Sequence, residues 1–72
     1  MESQVVLRDE LRQAIDAIGR LSSRDRVLVG LRLASELPYA EIGQVLGMSE
    51  HAATVATRRA VARLRAKLGA PR

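Results

Sequence analysis

Cysteine, tryptophan and phenylalanine are absent from this 72-residue chain, and Tyr39 is its only aromatic residue. Without cysteine, and with His51 as the single histidine, the chain lacks the residues for a disulfide framework or a typical zinc site. One aromatic ring provides no platform on which successive unpaired bases can stack, which argues against a single-stranded nucleic acid as the ligand. The composition therefore predicts a protein without disulfide or structural metal.

Long apolar runs and the signatures of catalysis are missing as well. No stretch approaches the roughly 20 apolar residues that span a bilayer. Residues 1–4 do not begin a signal peptide, so we expect a cytoplasmic protein with no membrane partner. No serine stands in a Gly-x-Ser-x-Gly motif, no glycine-rich phosphate loop is present, and His51 has no evident carboxylate partner. The sequence thus predicts neither an enzyme nor a bound cofactor.

Apolar residues recur at helical spacing in four segments, which glycine, proline and serine residues separate. The pattern predicts helices at about residues 4–18, 23–36, 39–46 and 49–68, and no strand. A chain of this size has room for one small core, so we expect a single all-α, four-helix domain over residues 1–72. The first helix carries one apolar stripe, formed by Leu7, Leu11, Ala14, Ile15 and Ile18.

The second helix is apolar around almost its whole circumference. A 72-residue domain cannot cover every side of such a helix, so we expect part of this surface to stay exposed and to bind a protein partner. The candidate partner-binding residues are Val27, Leu28, Val29, Leu31 and Leu33.

The third and fourth helices have the spacing of a helix-turn-helix. Gly47 stands where a left-handed residue would end the third helix, and Gly43 where a small residue would let the fourth helix pass closely. Ile42, Val45 and Leu46 are expected to point inward. On spacing alone, two helices of an ordinary bundle joined by a glycine turn would fit equally well.

Charge distinguishes these two interpretations. Residues 1–48 hold six basic and seven acidic side chains, whereas residues 49–72 hold six basic and one acidic. The positive charge therefore lies on and just beyond the fourth helix, as contact with a phosphate backbone requires. This distribution favours a helix-turn-helix that binds duplex DNA.

The DNA-contact candidates are mainly the outward residues of the fourth helix. Arg58 or Arg59 can reach guanine O6 and N7, Thr54 a base edge or a phosphate, and Val55 a thymine methyl group. For each arginine the alternative is a solvated side chain, and for Tyr39 the first interpretation is packing at the start of the third helix. The full candidate set is His51, Thr54, Val55, Arg58, Arg59, Arg63 and Tyr39.

Residues 21–33, 37–50 and 59–65 resemble region 4 of bacterial sigma factors, in particular the extracytoplasmic-function group. The most specific stretch is Tyr-Ala-Glu-Ile at residues 39–42, followed by Leu-Gly at 46–47 and Ser-Glu at 49–50. Helix-turn-helix modules of the response-regulator class share Leu-Gly-x-Ser-Glu-His and a terminal Lys-Leu-Gly, and so remain an alternative.

The resemblance implies a domain that recognises the −35 promoter element in duplex DNA through its fourth helix. It also implies that the apolar surface of the first helices docks on the flap of the RNA polymerase β subunit, or is sequestered by an anti-sigma factor. The family commonly has Thr-Val-Lys-Ser-Arg where this chain has Ala-Ala-Thr-Val-Ala at residues 52–56, and Pro38 replaces the usual Ser or Thr cap. The alternative function is a degenerate helical adaptor that binds polymerase or an anti-sigma factor without reading DNA.

Overall fold

The computed structural model describes residues 2–69, with side chains from residue 7 onward. The helices are α1 (Glu2–Gly19), α2 (Ser23–Val29), α3 (Tyr39–Leu46) and α4 (Glu50–Gly69), and a π-helical segment, Gly30–Ala34, continues α2. The part of the chain that the structure describes contains no strand, which confirms the predicted small all-α domain with a helix-turn-helix. No helix within residues 2–69 combines the length and the apolarity needed to cross a membrane.

The start of α2 is fixed by a serine cap. The Ser22 Oγ accepts a hydrogen bond from the Asp25 N–H at 3.1 Å, and the Ser22 carbonyl accepts one from the Arg26 N–H at 2.9 Å. The bond to the Ser22 Oγ satisfies an N–H group that has no carbonyl partner within the helix, and the bond to the Ser22 carbonyl is the first of the helical series. The cap sets the direction in which α2 leaves the turn that follows α1.

The helical path that begins with α2 ends at Ala34, earlier than the predicted residue 36. The Ser35 N–H donates to the Gly30 carbonyl at 3.1 Å, and Glu36 then adopts a left-handed conformation with φ of 55°. A left-handed residue reverses the backbone and stops the helix. The break lies upstream of Pro38 because this reversal, and not the proline, ends the helix.

One core joins the four helices. Its largest fully buried side chains are Leu28, Ile42 and Thr57, and the small residues Ala53 and Ala60 let α4 approach the other helices closely. The buried apolar residues are Ala17, Leu21, Leu28, Val29, Ile42, Ala53, Ala60 and Leu64. Because α4 contributes every third or fourth residue to this core, its opposite face is left outside.

The apolar stripe of α1 is largely uncovered. Leu7, Leu11 and Ile15 are 61%, 61% and 62% exposed, whereas Ala17 is buried and Ile18 packs against the core. Within residues 7–19, the side chains of α1 that pack against the rest of the domain therefore lie toward its C-terminal end. The helical period correctly shows which residues share a face, but within the described residues no other helix covers the first half of that face.

Candidate nucleic-acid interface

The turn between α3 and α4 is built around two glycines. Gly47 has φ of 68°, the left-handed conformation that glycine adopts without steric cost, and its N–H donates to the Gly43 carbonyl. The Met48 N–H donates to the same carbonyl at 2.7 Å. A Cβ on Gly43 would lie 2.6 Å from the Met48 carbonyl oxygen, so the close neighbour of Gly43 is the turn backbone and not α4 itself.

Of the three residues of α3 whose side chains we expected to point toward the core, two do so. Ile42 is fully buried and Leu46 is half-buried, but Val45 is exposed, which corrects the expectation for that residue. The N-cap residue Pro38 forms no side-chain cap, as its lack of a polar side chain requires. The contact of this short helix with the core is therefore narrower than expected and consists of the stripe that contains Ile42 and Leu46.

Helix α4 begins with its own serine cap. The Ser49 Oγ accepts from the Ala52 N–H at 3.0 Å, and the Ser49 carbonyl accepts from the Ala53 N–H at 2.9 Å. The buried seam of α4 is Ala53, Thr57, Ala60 and Leu64. Since these residues face the core, the side of α4 that carries the predicted DNA contacts faces outward.

Four of the predicted DNA contacts on α4 are exposed, namely His51, Arg58, Arg59 and Arg63. Thr54 and Val55 are half-buried. The Thr54 hydroxyl donates to the Glu50 carbonyl at 2.8 Å, so its proton is already used within the helix. Toward DNA, Thr54 can therefore offer an acceptor lone pair and a methyl group.

Tyr39 is held in place by Arg32. The guanidinium carbon of Arg32 lies 4.3 Å from the centre of the Tyr39 ring, in cation–π geometry, and Arg32 Nη1 donates to the Leu37 carbonyl at 3.1 Å. The ring is half-buried and packs against the core. The structure thus gives Tyr39 a packing role at the start of α3, and its contact with a phosphate stays a prediction.

Arg63 is bound to another part of the protein. Its Nη1 donates to both carboxylate oxygens of Asp25, at 2.8 Å and 3.1 Å, and so joins α4 to the start of α2. The Asp25 side chain is 9% exposed. Arg63 was predicted to contact DNA, and the structure shows that this side chain already has an anionic partner inside the domain.

Two adjoining hollows border this ion pair and gather cations that lie far apart in the sequence. Arg24 is brought beside the helix-turn-helix, where its Nη2 lies 3.6 Å from the Met48 sulfur. The cations that line the hollows are Arg20, Arg24, Arg59, Arg63 and Lys67. Sequence reasoning missed Arg20, Arg24 and Lys67 as members of one surface, because no local pattern connects the start of α2 with the second half of α4.

The predicted partner-binding residues of the second helix separate into two groups. Val27 and Leu33 are 46% and 55% exposed, in line with the expectation that part of the apolar surface of this helix stays uncovered. Leu31 is half-buried. Leu28 and Val29 lie in the core, which corrects the expectation that they face a partner. A protein partner can meet only the exposed members of this set without unfolding the domain.

Comparison with known proteins adds family information to this geometry. A family model described as sigma-70, region 4 matches residues 11–64. Among curated proteins, the RNA polymerase sigma factor FliA of Pseudomonas aeruginosa is 44% identical over 64 residues, covering 86% of this chain and 26% of that protein. The chain therefore spans about a quarter of the length of this curated relative. No solved structure matches the chain.

Proposed function

The chain belongs to the sigma-70 region 4 family, and on that premise we propose that it binds the −35 promoter element as part of a sigma factor. In this role it directs RNA polymerase to promoters in the cytoplasm. The observation that carries the proposal is the outward face of α4, which presents the exposed Arg58 and Arg59 opposite a buried seam of small residues. In a helix-turn-helix the second helix enters the major groove, and this face would meet the base edges.

The two halves of that face have different chemistry. His51, Thr54 and Val55 lie in the first two turns of α4, which in a helix-turn-helix contact base edges. Arg58 follows about 4.5 Å beyond Val55 and about 10.5 Å beyond His51 along the axis, at the helical rise of 1.5 Å per residue, and Arg59 is the next residue. This spacing supports base contact by the first group, with phosphate or guanine contact by the two arginines.

The narrower assignments rest on the sequence motifs and on exposed apolar surface. We assign the chain to the extracytoplasmic-function type because of the motif in residues 37–50. The test replaces region 4 of an extracytoplasmic-function sigma factor with this chain. Promoter-specific transcription by the resulting chimaera is then measured. Val27 and Leu33 are the surface proposed to dock on the β-subunit flap or on an anti-sigma factor.

A second candidate function is an adaptor that binds polymerase or an anti-sigma factor without reading DNA. It is favoured by one feature of α4: residues 50–57 contain no lysine or arginine. A helix that reads bases would ordinarily carry at least one such donor near its N-terminus. The exposed apolar residues of α1 and α2 would serve this function equally well.

The test is to titrate the chain with a random-sequence duplex and, in parallel, with a peptide of the β-subunit flap. Alanine in place of Arg58 or Arg59 should weaken duplex binding by about 1 to 3 kcal/mol if that arginine makes a bidentate base contact. Arg12→Ala is the control, since Arg12 is an exposed cation on α1. If Arg12→Ala and Arg59→Ala lowered duplex affinity equally, the proposal that α4 binds DNA would be wrong.

Salt dependence separates the two functions. A domain that neutralises three or four phosphates should give a slope of log K against log salt of about −3 to −4. The adaptor function would be supported instead if the chain bound the flap peptide but either did not bind the duplex or bound it with an affinity that does not depend on salt.

A further inference from the structure

The ion pair between Asp25 and Arg63 has unequal partners. Both Asp25 carboxylate oxygens accept hydrogen bonds from Arg63, while the Asp25 side chain is only 9% exposed and the Arg63 side chain is 58% exposed. Water therefore reaches the arginine much more readily than the carboxylate. Asp25 depends on Arg63 for its charge partner, since a buried carboxylate without one is strongly destabilising.

This dependence restricts what Arg63 can do at a DNA surface. Asp25 takes both of its hydrogen bonds from Nη1 of Arg63, so a phosphate that displaced Asp25 there would leave a buried carboxylate unpaired. A phosphate that bound the other guanidinium N–H groups would instead lie close to the Asp25 charge, and repulsion between the two anions would offset the free energy gained from the contact. Exposure alone, by which Arg63 resembles Arg58 and Arg59, does not make it equally available.

Asp25 also occupies a central place in the cationic surface. The two hollows that meet at the ion pair are lined by Arg24 and Arg59 on one side and by Arg20 and Lys67 on the other. Among the described residues that line them, Asp25 is the one acid. Arg20 forms an ion pair with an exposed acid outside the hollows, Asp16, at 3.1 Å. The buried carboxylate thus reduces the positive charge at the middle of this surface.

We propose that Asp25 is a positioning residue that holds Arg63 within the protein and out of the set of DNA contacts. The proposal rests on duplex DNA as the ligand of α4. Arg63 then serves to fix α4 against the start of α2, and the neighbouring Arg59, which has no acidic partner among the described residues, contacts phosphate. Removal of the Asp25 charge alone should make Arg63 available as an additional phosphate contact.

The experiment compares the wild-type chain with Asp25→Asn, Arg63→Gln and the double variant. Duplex affinity is measured by fluorescence anisotropy with a random-sequence duplex from 50 to 300 mM salt. Asp25→Asn should bind about fivefold more tightly at 0.1 M salt, with a log–log slope steeper by about 0.9, the value for one added phosphate. The double variant should return to within about twofold of the wild type, because it lacks both charges.

Arg59→Gln is the matched control, because Arg59 lines the same surface without an acidic partner among the described residues. It should weaken binding to the same extent with and without Asp25→Asn. The proposal is overturned if Asp25→Asn leaves the slope unchanged. It is also overturned if the double variant loses as much affinity as Arg59→Gln, since Arg63 would then contact DNA in the wild type.

Elution from heparin makes the test independent of promoter recognition. Asp25→Asn should elute from heparin at higher salt than the wild type. This result is expected even if the wild-type chain fails to bind the duplex, and failure to bind the duplex would refute the proposed function alone. Elution at the same salt or lower would refute the role of Asp25. Circular dichroism checks folding, and Asp25→Ser, which keeps a small hydrogen-bond acceptor, replaces Asp25→Asn if that variant unfolds.

Discussion

Gly43 and Met48 face each other across the helix-turn-helix at a distance that leaves no room for a side chain on residue 43. The Met48 N–H donates to the Gly43 carbonyl at 2.7 Å, and a Cβ on Gly43 would lie 2.6 Å from the Met48 carbonyl oxygen. Both contacts are made by backbone atoms, which cannot rotate away as a flexible side chain can. This fit fixes the angle between α3 and α4 and, with it, the face that α4 presents.

We expect Gly43→Ala to lower the free energy of unfolding by about 2 kcal/mol, because the turn must shift to admit the methyl group. Gly30→Ala is the control: Gly30 is helical, with φ of −61°, and a Cβ there meets nothing within 4 Å. That variant should be more stable than the wild type by about 0.5 to 1 kcal/mol. Urea denaturation measures both, and equal stability of the two variants would contradict the tight approach at Gly43.

Gly47 should be sensitive for a different reason. A Cβ on Gly47 meets nothing within 4 Å, but the backbone has φ of 68°, which ordinary side chains oppose. Gly47→Ala should therefore cost about 1 to 2 kcal/mol of stability, and Gly47→Asn clearly less, because asparagine tolerates the left-handed region. Thermal unfolding measures the difference. If both substitutions cost the same, a steric clash and not the backbone conformation would be the cause.

These glycines illustrate which features the sequence predicts well. The caps at Ser22 and Ser49 and the stop at Gly47 depend on hydrogen bonds between residues a few positions apart, so local spacing is enough to find them. The helical period also places Ala53, Thr57, Ala60 and Leu64 on one side of α4. The same spacing predicts Val61 and Leu68 on that side, but Val61 is half-buried and Leu68 is 44% exposed. The all-α architecture follows from these local signals.

Other features depend on which elements meet, and local spacing carries no information about that. Asp25 and Arg63 stand 38 residues apart, and only the packing of α2 against α4 reveals that Arg63 already has a partner. Similarly, the periodicity of α1 shows that Leu7 and Ile15 share a face but not that this face lies outside the core. The sequence therefore indicates which segment carries the exposed cations, but not which of these cations already has a partner inside the domain.

Thr57 provides a test of what a buried hydroxyl group without a hydrogen-bond partner costs in stability. Its side chain is fully buried on α4, and its Oγ1 has no hydrogen-bond partner among the described residues. Thr57→Val keeps the shape and removes the unsatisfied hydroxyl, so the variant should be more stable by about 1 kcal/mol. For a domain of this size, that corresponds to a rise in the melting temperature of about 4 to 8 °C.

Thr57→Ser is the matched control, since it keeps the hydroxyl and removes the buried methyl group. It should lower stability by about 1 kcal/mol. A Thr57→Val variant that is less stable than the wild type would show that the hydroxyl has a partner, such as a bound water, that stabilises the fold.

The exposed apolar residues of the second helix provide the final prediction. Leu33 is 55% exposed, whereas Leu28, five residues earlier, is 1% exposed. Leu33→Ser should therefore leave helicity and duplex affinity nearly unchanged while it weakens binding of a β-flap peptide about tenfold, because an apolar contact of the interface is lost. Leu28→Ser should instead unfold the domain, since it places a hydroxyl in the core. Circular dichroism and peptide titration distinguish the two effects. Wild-type affinity of Leu33→Ser for the peptide would mean that the partner binds elsewhere, and the uncovered face of α1 would then be the next surface to mutate.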